Sequence, residues 1–172
     1  MGNTTATPLP MPKRDHFVEL PSPNTYSELT ELHRLARENK IDQDNIQNLI
    51  NVYSIDYINA IYTGDYNPLG EHGGGKYREV TPLHVALING KREAVLFLVA
   101  NGAKVDDKFW MNVKVGDGYA HSYTTPTTFV FAKSHIGKWA TPILSGGPEY
   151  AKQILRDENL LNDEKLTKAA KH

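Results

Sequence analysis

The chain has 172 residues, 40% of them hydrophobic and 23% charged, with a formal net charge of −1. That is enough chain for one domain with a real core, and a charge so close to zero supplies no general field to hold nucleic acid or an anionic membrane. There is no cysteine, which removes disulfides, thiolate zinc sites, iron–sulfur clusters and a thiol nucleophile together, and suits a reducing compartment such as the cytoplasm.

Residues 1–25 contain Pro8, Pro10, Pro12, Pro21 and Pro23. Proline fixes φ and removes an amide donor, so this stretch reads as an extended Pro-rich N-terminal arm, with "HFVEL" (16–20) able to pack on a domain spanning 26–172. The arm lacks the apolar core of a secretory signal. Ala6 stands where N-myristoylation of a Met-Gly start needs Ser or Thr. The longest apolar run, Ala94 to Ala100, is far short of the ~20 residues of a membrane span.

Regular patterning begins near Tyr26. "TYSELTELHRLARENK" places Leu29, Leu32, Leu35 and Ala36 at helical spacing and stops at Asn39. "DQDNIQNLINVY" follows with Ile46, Leu49 and Ile50 on one face, and Asp42 and Asp44 sit where a helix N-terminus favours carboxylates. A calcium loop would need glycine where Gln47 stands, so these acids read as caps.

"TPLHVALING" (81–90) writes a helix start and stop within one short stretch. The Thr81 hydroxyl caps the helix, Pro82 occupies the first turn where an amide is not needed, and Asn89-Gly90 ends it. A second helix, "REAVLFLVANG", turns Val95, Leu98 and Val99 inward and stops at Gly102. Two short antiparallel helices cannot hide their apolar faces alone and call for stacked neighbours.

Residues 81–106, "TPLHVALINGKREAVLFLVANGAKVD", resemble an ankyrin repeat. The match rests on Thr81, Pro82, Leu83, His84, Ala86, Gly90, Leu98, Val99, Gly102, Ala103 and Val105, against a family period of ~33 residues. Weaker copies flank this unit around 30–50 and 124–155. Leu32-His33 echo Leu83-His84, Thr125-Pro126 echo Thr81-Pro82, and "PEYAKQIL" (148–155) echoes the second helix. "NDEKLTKAAKH" (162–172) reads as a last helix. The resemblance implies a mainly α fold: a short ankyrin-repeat stack of about three helix-turn-helix units carrying an inserted β-hairpin and long loops at 54–80, 107–124 and 134–147. It implies a structural role for Thr81, Pro82, Leu83, His84, Gly90 and Gly102, with His84 tying adjacent repeats near the helix start. Read as a metal ligand or base instead, His84 has no partner histidine at ligand spacing.

Three patterns suggest chemistry. "GEHGGGKY" (70–77) fits the phosphate-cradling G-x-x-x-x-G-K, but Tyr77 stands where a hydroxyl must hold magnesium, and no helix begins until Pro82. "HGGG" (72–75) is the oxyanion loop of some esterases, but the chain has no G-x-S-x-G nucleophile. The histidines at 16, 33, 72, 84, 121, 135 and 172 are scattered. No catalytic set, metal site or cofactor is therefore expected. The alternative is an enzyme or nucleotide-dependent switch built on the Gly70–Lys76 loop with His121 or His135.

Phe109–Val115 and Tyr119–Tyr123 read as strands around the turn Gly116-Asp117-Gly118. Alternation puts Trp110, Asn112 and Lys114 on one face, and Phe109, Met111, Val113 and Val115 on the other. If the apolar set packs inward, Trp110, Asn112, Lys114, Tyr119, His121 and Tyr123 form an outward candidate surface for a protein partner, since exposed Trp and Tyr are typical interface anchors. The opposite reading packs both faces against the other insertion. The expected function is a non-enzymatic protein–protein interaction module. It would be a monomer in the cytoplasm of its source cell, or of a host cell if it is a secreted effector, and it would bind neither nucleic acid nor membrane. A purely architectural subunit is the third reading, and it predicts self-association.

Overall fold

The computed structural model describes residues 24–68 and 75–161. The expected arm up to residue 23 and the helix expected at 162–172 lie outside the described residues. In chain order the elements are β1 (Thr25–Tyr26), α1 (Glu31–Glu38), α2 (Gln43–Tyr53), a 3-10 helix (Ile55–Asn59), β2 (Ile61–Tyr62), β3 (Lys76–Arg78), α3 (Pro82–Ile88), α4 (Arg92–Ala100), β4 (Phe109–Val115), β5 (Gly118–Thr124), α5 (Pro126–Phe131) and α6 (Ser134–Asp157). β1 and β2 pair in parallel, and β3, β4 and β5 form an antiparallel sheet in that order. The isolated antiparallel bridges Tyr62↔Val80 and Tyr66↔Tyr77 link the two sheets.

This architecture corrects the mainly α ankyrin-repeat stack. Among the described residues, six α-helices and five strands make an α+β mixture. Two physical reasons account for the difference. First, the sheet is part of the core: Phe109, Tyr66 and Tyr77 are buried, and the Phe109 ring packs on His84 and Phe129 with centroids 4.4 and 5.5 Å away. The hairpin expected as an insertion is two strands of a three-stranded sheet on which α3 and α5 rest. Second, the third helix pair does not repeat the others. α5 has 6 residues, whereas α6 is two helical segments, 134–146 and 148–157, broken at Gly147 (φ 78°, ψ −168°). Of the stretch 134–147, expected as a loop, residues 134–146 are helical and Gly147 is the break.

The helix ends follow local chemistry. Thr30, Thr81 and Thr125 each accept a backbone N–H three residues on, at His33, His84 and Thr128. Gly90 and Gly102 take positive φ, and the N–H groups of Lys91 and Ala103 then bond back to the carbonyls of Ala86 and Leu98 at 2.8 and 2.9 Å. Asn39 and Asn159 make the same left-handed stop for α1 and α6, with Lys40 bonding to Leu35 and Leu160 to Leu155.

α4 is buried along all of Ala94–Ala100. A helix enclosed on every side loses the amphipathic stripe, because α3 covers one side and α6 another. Polar pairs sew α1 and α2 to α4: Asn39 Nδ2 donates to Glu93 at 2.8 Å while its Oδ1 accepts the Ala94 N–H, and Gln43 and Asn101 exchange reciprocal amide bonds. Arg92 pairs with Glu158 and thereby holds the end of α6 on the start of α4. Among the described residues, no helix is long and apolar enough to cross a membrane.

Candidate functional site

Strand alternation gives the β3-β4-β5 sheet a dry side and a wet side. Phe109 and Tyr77 are buried on the dry side and Met111 packs against the core. The registers Trp110↔Tyr123, Asn112↔His121 and Lys114↔Tyr119 put all six candidate residues on the wet side. β3 extends that side by one row, since Arg78 lies beside Trp110 and Lys76 beside Asn112.

The face is aromatic at its free edge and cationic toward β3. Tyr119 is 69% exposed and Tyr123 55%. The Arg78 guanidinium lies 4.8 Å over the Trp110 ring, a cation–π contact. Asp65 anchors the cations by pairing with Arg78 and, at 3.7 Å, with Lys76. Its hydrogen bond from Arg78 holds its carboxyl below the usual range. The Tyr123 hydroxyl donates to Glu79, which raises the phenol pKa because ionising it would set two negative oxygens together. Glu79 itself has φ 58°. That left-handed conformation is uncommon for a side chain with Cβ and turns the chain from β3 into the start of α3.

Asn112 sits in the middle of this face, between Lys76 and His121. Its Oδ1 is the one buried side-chain polar atom without a hydrogen-bond partner among the described residues. A buried acceptor left unpaired costs ~1–3 kcal/mol, so the centre of the face holds unspent hydrogen-bonding capacity.

The structural histidines lie elsewhere. His33 and His84 are fully buried, and desolvation lowers their pKa values to about 4 and about 3. Each accepts a backbone N–H at Nδ1, from Thr30 and Thr81 respectively, so each imidazole is neutral with its proton on Nε2. His121 lies on the sheet face and His135 at the start of α6.

Gly70–Gly74 lie outside the described residues, as do His16, His72 and His172. Of the G-x-x-x-x-G-K pattern, Gly75 and Lys76 are described. Lys76 opens strand β3, and the next helix begins at Pro82, so Lys76 does not stand at a helix N-terminus. A cleft of about 410 Å³ is lined in part by Tyr77, Asn89, Val113, Lys114 and Lys133. Among the described residues, no group of three or more His, Asp or Glu side chains is arranged to hold a metal ion.

Sequence reasoning missed Arg78, Asp65 and Glu79. Lys76 and Arg78 do show a two-residue alternation in "KYR", but only the long-range pairing of β3 with β4 reveals which face they join. A second exposed apolar group, Val52, Tyr53 and Ile55, lies at the end of α2, where Tyr53 stacks on Tyr57 at 4.3 Å.

Comparison with protein-family models, with curated proteins and with solved structures finds no match to this chain.

Proposed function

We propose that the chain is a non-enzymatic protein-binding module whose contact surface is the wet face of the β3-β4-β5 sheet. The observation that carries this reading is the grouping of Trp110, Tyr119 and Tyr123 on one face, with both tyrosines more than half exposed. Aromatic anchors beside a cation supply large contact area at low side-chain entropy cost, which is the composition of interface hot spots. The resemblance of residues 81–106 to one ankyrin unit supports the same class of function. Lack of cysteine suits such a module to a reducing cytoplasm.

The test is affinity capture from lysate of the native cell with quantitative mass spectrometry. Wild type is compared with a folded Trp110→Ala, Tyr119→Ala double variant and with Phe131→Ala, which removes an exposed ring elsewhere. The expected result is a protein held by wild type and by Phe131→Ala and lost by the double variant. Equal capture by all three removes the sheet face from the reading. Capture by none turns attention to the Gly70–Lys76 loop, to be tested with nucleotides.

A further inference from the structure

β5 is an edge strand with six consecutive exposed residues, and three features define what fits its free edge. The strand runs seven residues, "GYAHSYT", paired one-to-one with β4 without a bulge. It carries no Lys, Arg, Asp, Glu or Pro. Proteins protect open edges with charges, prolines, bulges or very short strands, and β5 has none of these.

The register fixes which backbone groups face outward. The turn has two central residues, Gly116 and Asp117, between the paired Val115 and Gly118. Gly116 has φ 61°, as the first central position of a type II′ turn requires. The residues flanking such a turn exchange hydrogen bonds, and bonding alternates from there. Gly118, Ala120, Ser122 and Thr124 therefore bond toward β4, while Tyr119, His121 and Tyr123 aim their N–H and C=O groups at the open side. Among the described residues, no other backbone group bonds to them.

These three residues are symmetric about His121. We propose that β5 pairs antiparallel with β5 of a second copy of this chain across a two-fold axis at His121, joining two three-stranded sheets into one. In that register His121 faces His121 of the second copy, and Tyr119 faces Tyr123 in both directions. The three facing pairs exchange about six backbone hydrogen bonds, and both aromatic pairs gain cross-strand contact. On the other side of the strand Gly118, Ala120 and Ser122 are small and exposed, so no side chain blocks the approach. An unrelated extended peptide would also find the backbone groups, but the Tyr–His–Tyr symmetry favours a second copy. This inference departs from the monomer expected from sequence, and it does not rest on the partner-binding reading.

The test is light scattering and sedimentation of the pure full chain from about 1 μM to about 1 mM, the range in which a small interface associates. The mass is expected to move from one chain toward two as concentration rises. His121→Pro removes an outward N–H that the ladder with β4 does not use, a placement proline tolerates on an edge. His121→Lys keeps the backbone and sets two ammonium groups opposite each other at the axis. Both should weaken association about tenfold or more, and His121→Lys keeps the test valid if the proline variant misfolds. A wild-type mass of one chain at every concentration overturns the proposal. So does a dimer that His121→Lys leaves unchanged, which would put the contact on another surface such as Val52, Tyr53 and Ile55.

Discussion

His33 donates its Nε2–H to the backbone oxygen of Val80, 2.8 Å away, and so fixes the residue that precedes the Thr81 cap of α3. His84 does the same one segment later, reaching the carbonyl of Asp107 at 2.9 Å just before β4. Each imidazole closes its own helix start through Nδ1 and holds the entry of the next element through Nε2. The Nδ1 bond needs the ring neutral, because a protonated Nδ1 could not accept the threonine N–H.

Acid should therefore unfold the protein in a defined window. Burial puts the folded pKa values of His33 and His84 at about 4 and about 3, both below the ordinary 6.5. A depressed folded pKa means that the unfolded chain takes up protons which the folded chain refuses. The stabilisation is complete above about pH 6.5 and declines as pH falls toward 4, by about 1 kcal/mol per pH unit for each histidine. Asp65 and Glu158 are held below their ordinary values by Arg78 and Arg92, so their share is lost at lower pH. Urea midpoints at pH 7.5, 6.5, 5.5 and 4.5 should fall mainly across the last two steps. A flat profile down to pH 4.5 would contradict the buried-neutral assignment.

Large-to-small substitution should separate core from surface. Leu98 is fully buried in α4, whereas Phe131 is 85% exposed at the end of α5. Leu98→Ala should cost ~2–5 kcal/mol, the lost transfer energy plus the cavity. Phe131→Ala should stay within ~0.5 kcal/mol. Denaturant titration of the two variants checks both numbers, and a Leu98→Ala cost below that of Phe131→Ala would overturn the packing described for α4.

Much of this was legible where the causes are local. Thr81 and Thr125 announce helix starts because a cap is written within four residues, and Asn39, Gly90 and Gly102 announce stops because few residues accept positive φ; the Thr30 cap of α1 does not announce itself, since Leu29 fits the same helical spacing. Alternation along β4 was enough to group Trp110, Asn112 and Lys114. The illegible parts are non-local. Lys76 and Arg78 join the face only through pairing of β3 with β4, which no short-range pattern encodes. Residues 134–146 contain Gly137, Pro142 and Gly146, so propensity argues for a loop. Packing of α6 on α4 and α5 overrides that preference and supplies the helical stability that the sequence lacks.

The Tyr123–Glu79 contact predicts a phenol that titrates late. The Glu79 carboxylate stabilises the protonated hydroxyl, so the Tyr123 pKa lies above its ordinary value of 10.0. In Glu79→Gln the charge is gone and the value should fall back toward 10.0. Side-chain NMR of Tyr123 across alkaline pH reads this directly. An unchanged midpoint would mean that the hydroxyl is not held by Glu79, and that Tyr123 is free to reorient on the face.

Gly137 tests the join between α5 and α6, and two effects oppose each other there. Replacing a helical glycine by alanine favours the helix by ~1 kcal/mol. A Cβ at Gly137, however, would lie 2.6 Å from the Val130 carbonyl oxygen, a backbone atom of the neighbouring helix that cannot rotate away. Relieving that clash requires α6 to move off α5 and loosen Phe129 and Val130, which are buried beneath it. Overpacking of this kind costs ~1–3 kcal/mol, so it outweighs the propensity gain and Gly137→Ala should destabilise the protein. Gly116→Ala is the control: its Cβ meets nothing within 4 Å, and only the positive φ of 61° resists it, with a penalty of about 1 kcal/mol confined to the hairpin tip. Thermal melts of the two variants, read with hydrogen exchange of α5 and the hairpin, should show the Gly137→Ala loss spread through α5 and α6. A Gly137→Ala variant as stable as wild type would mean that the two helices are not in contact at that point.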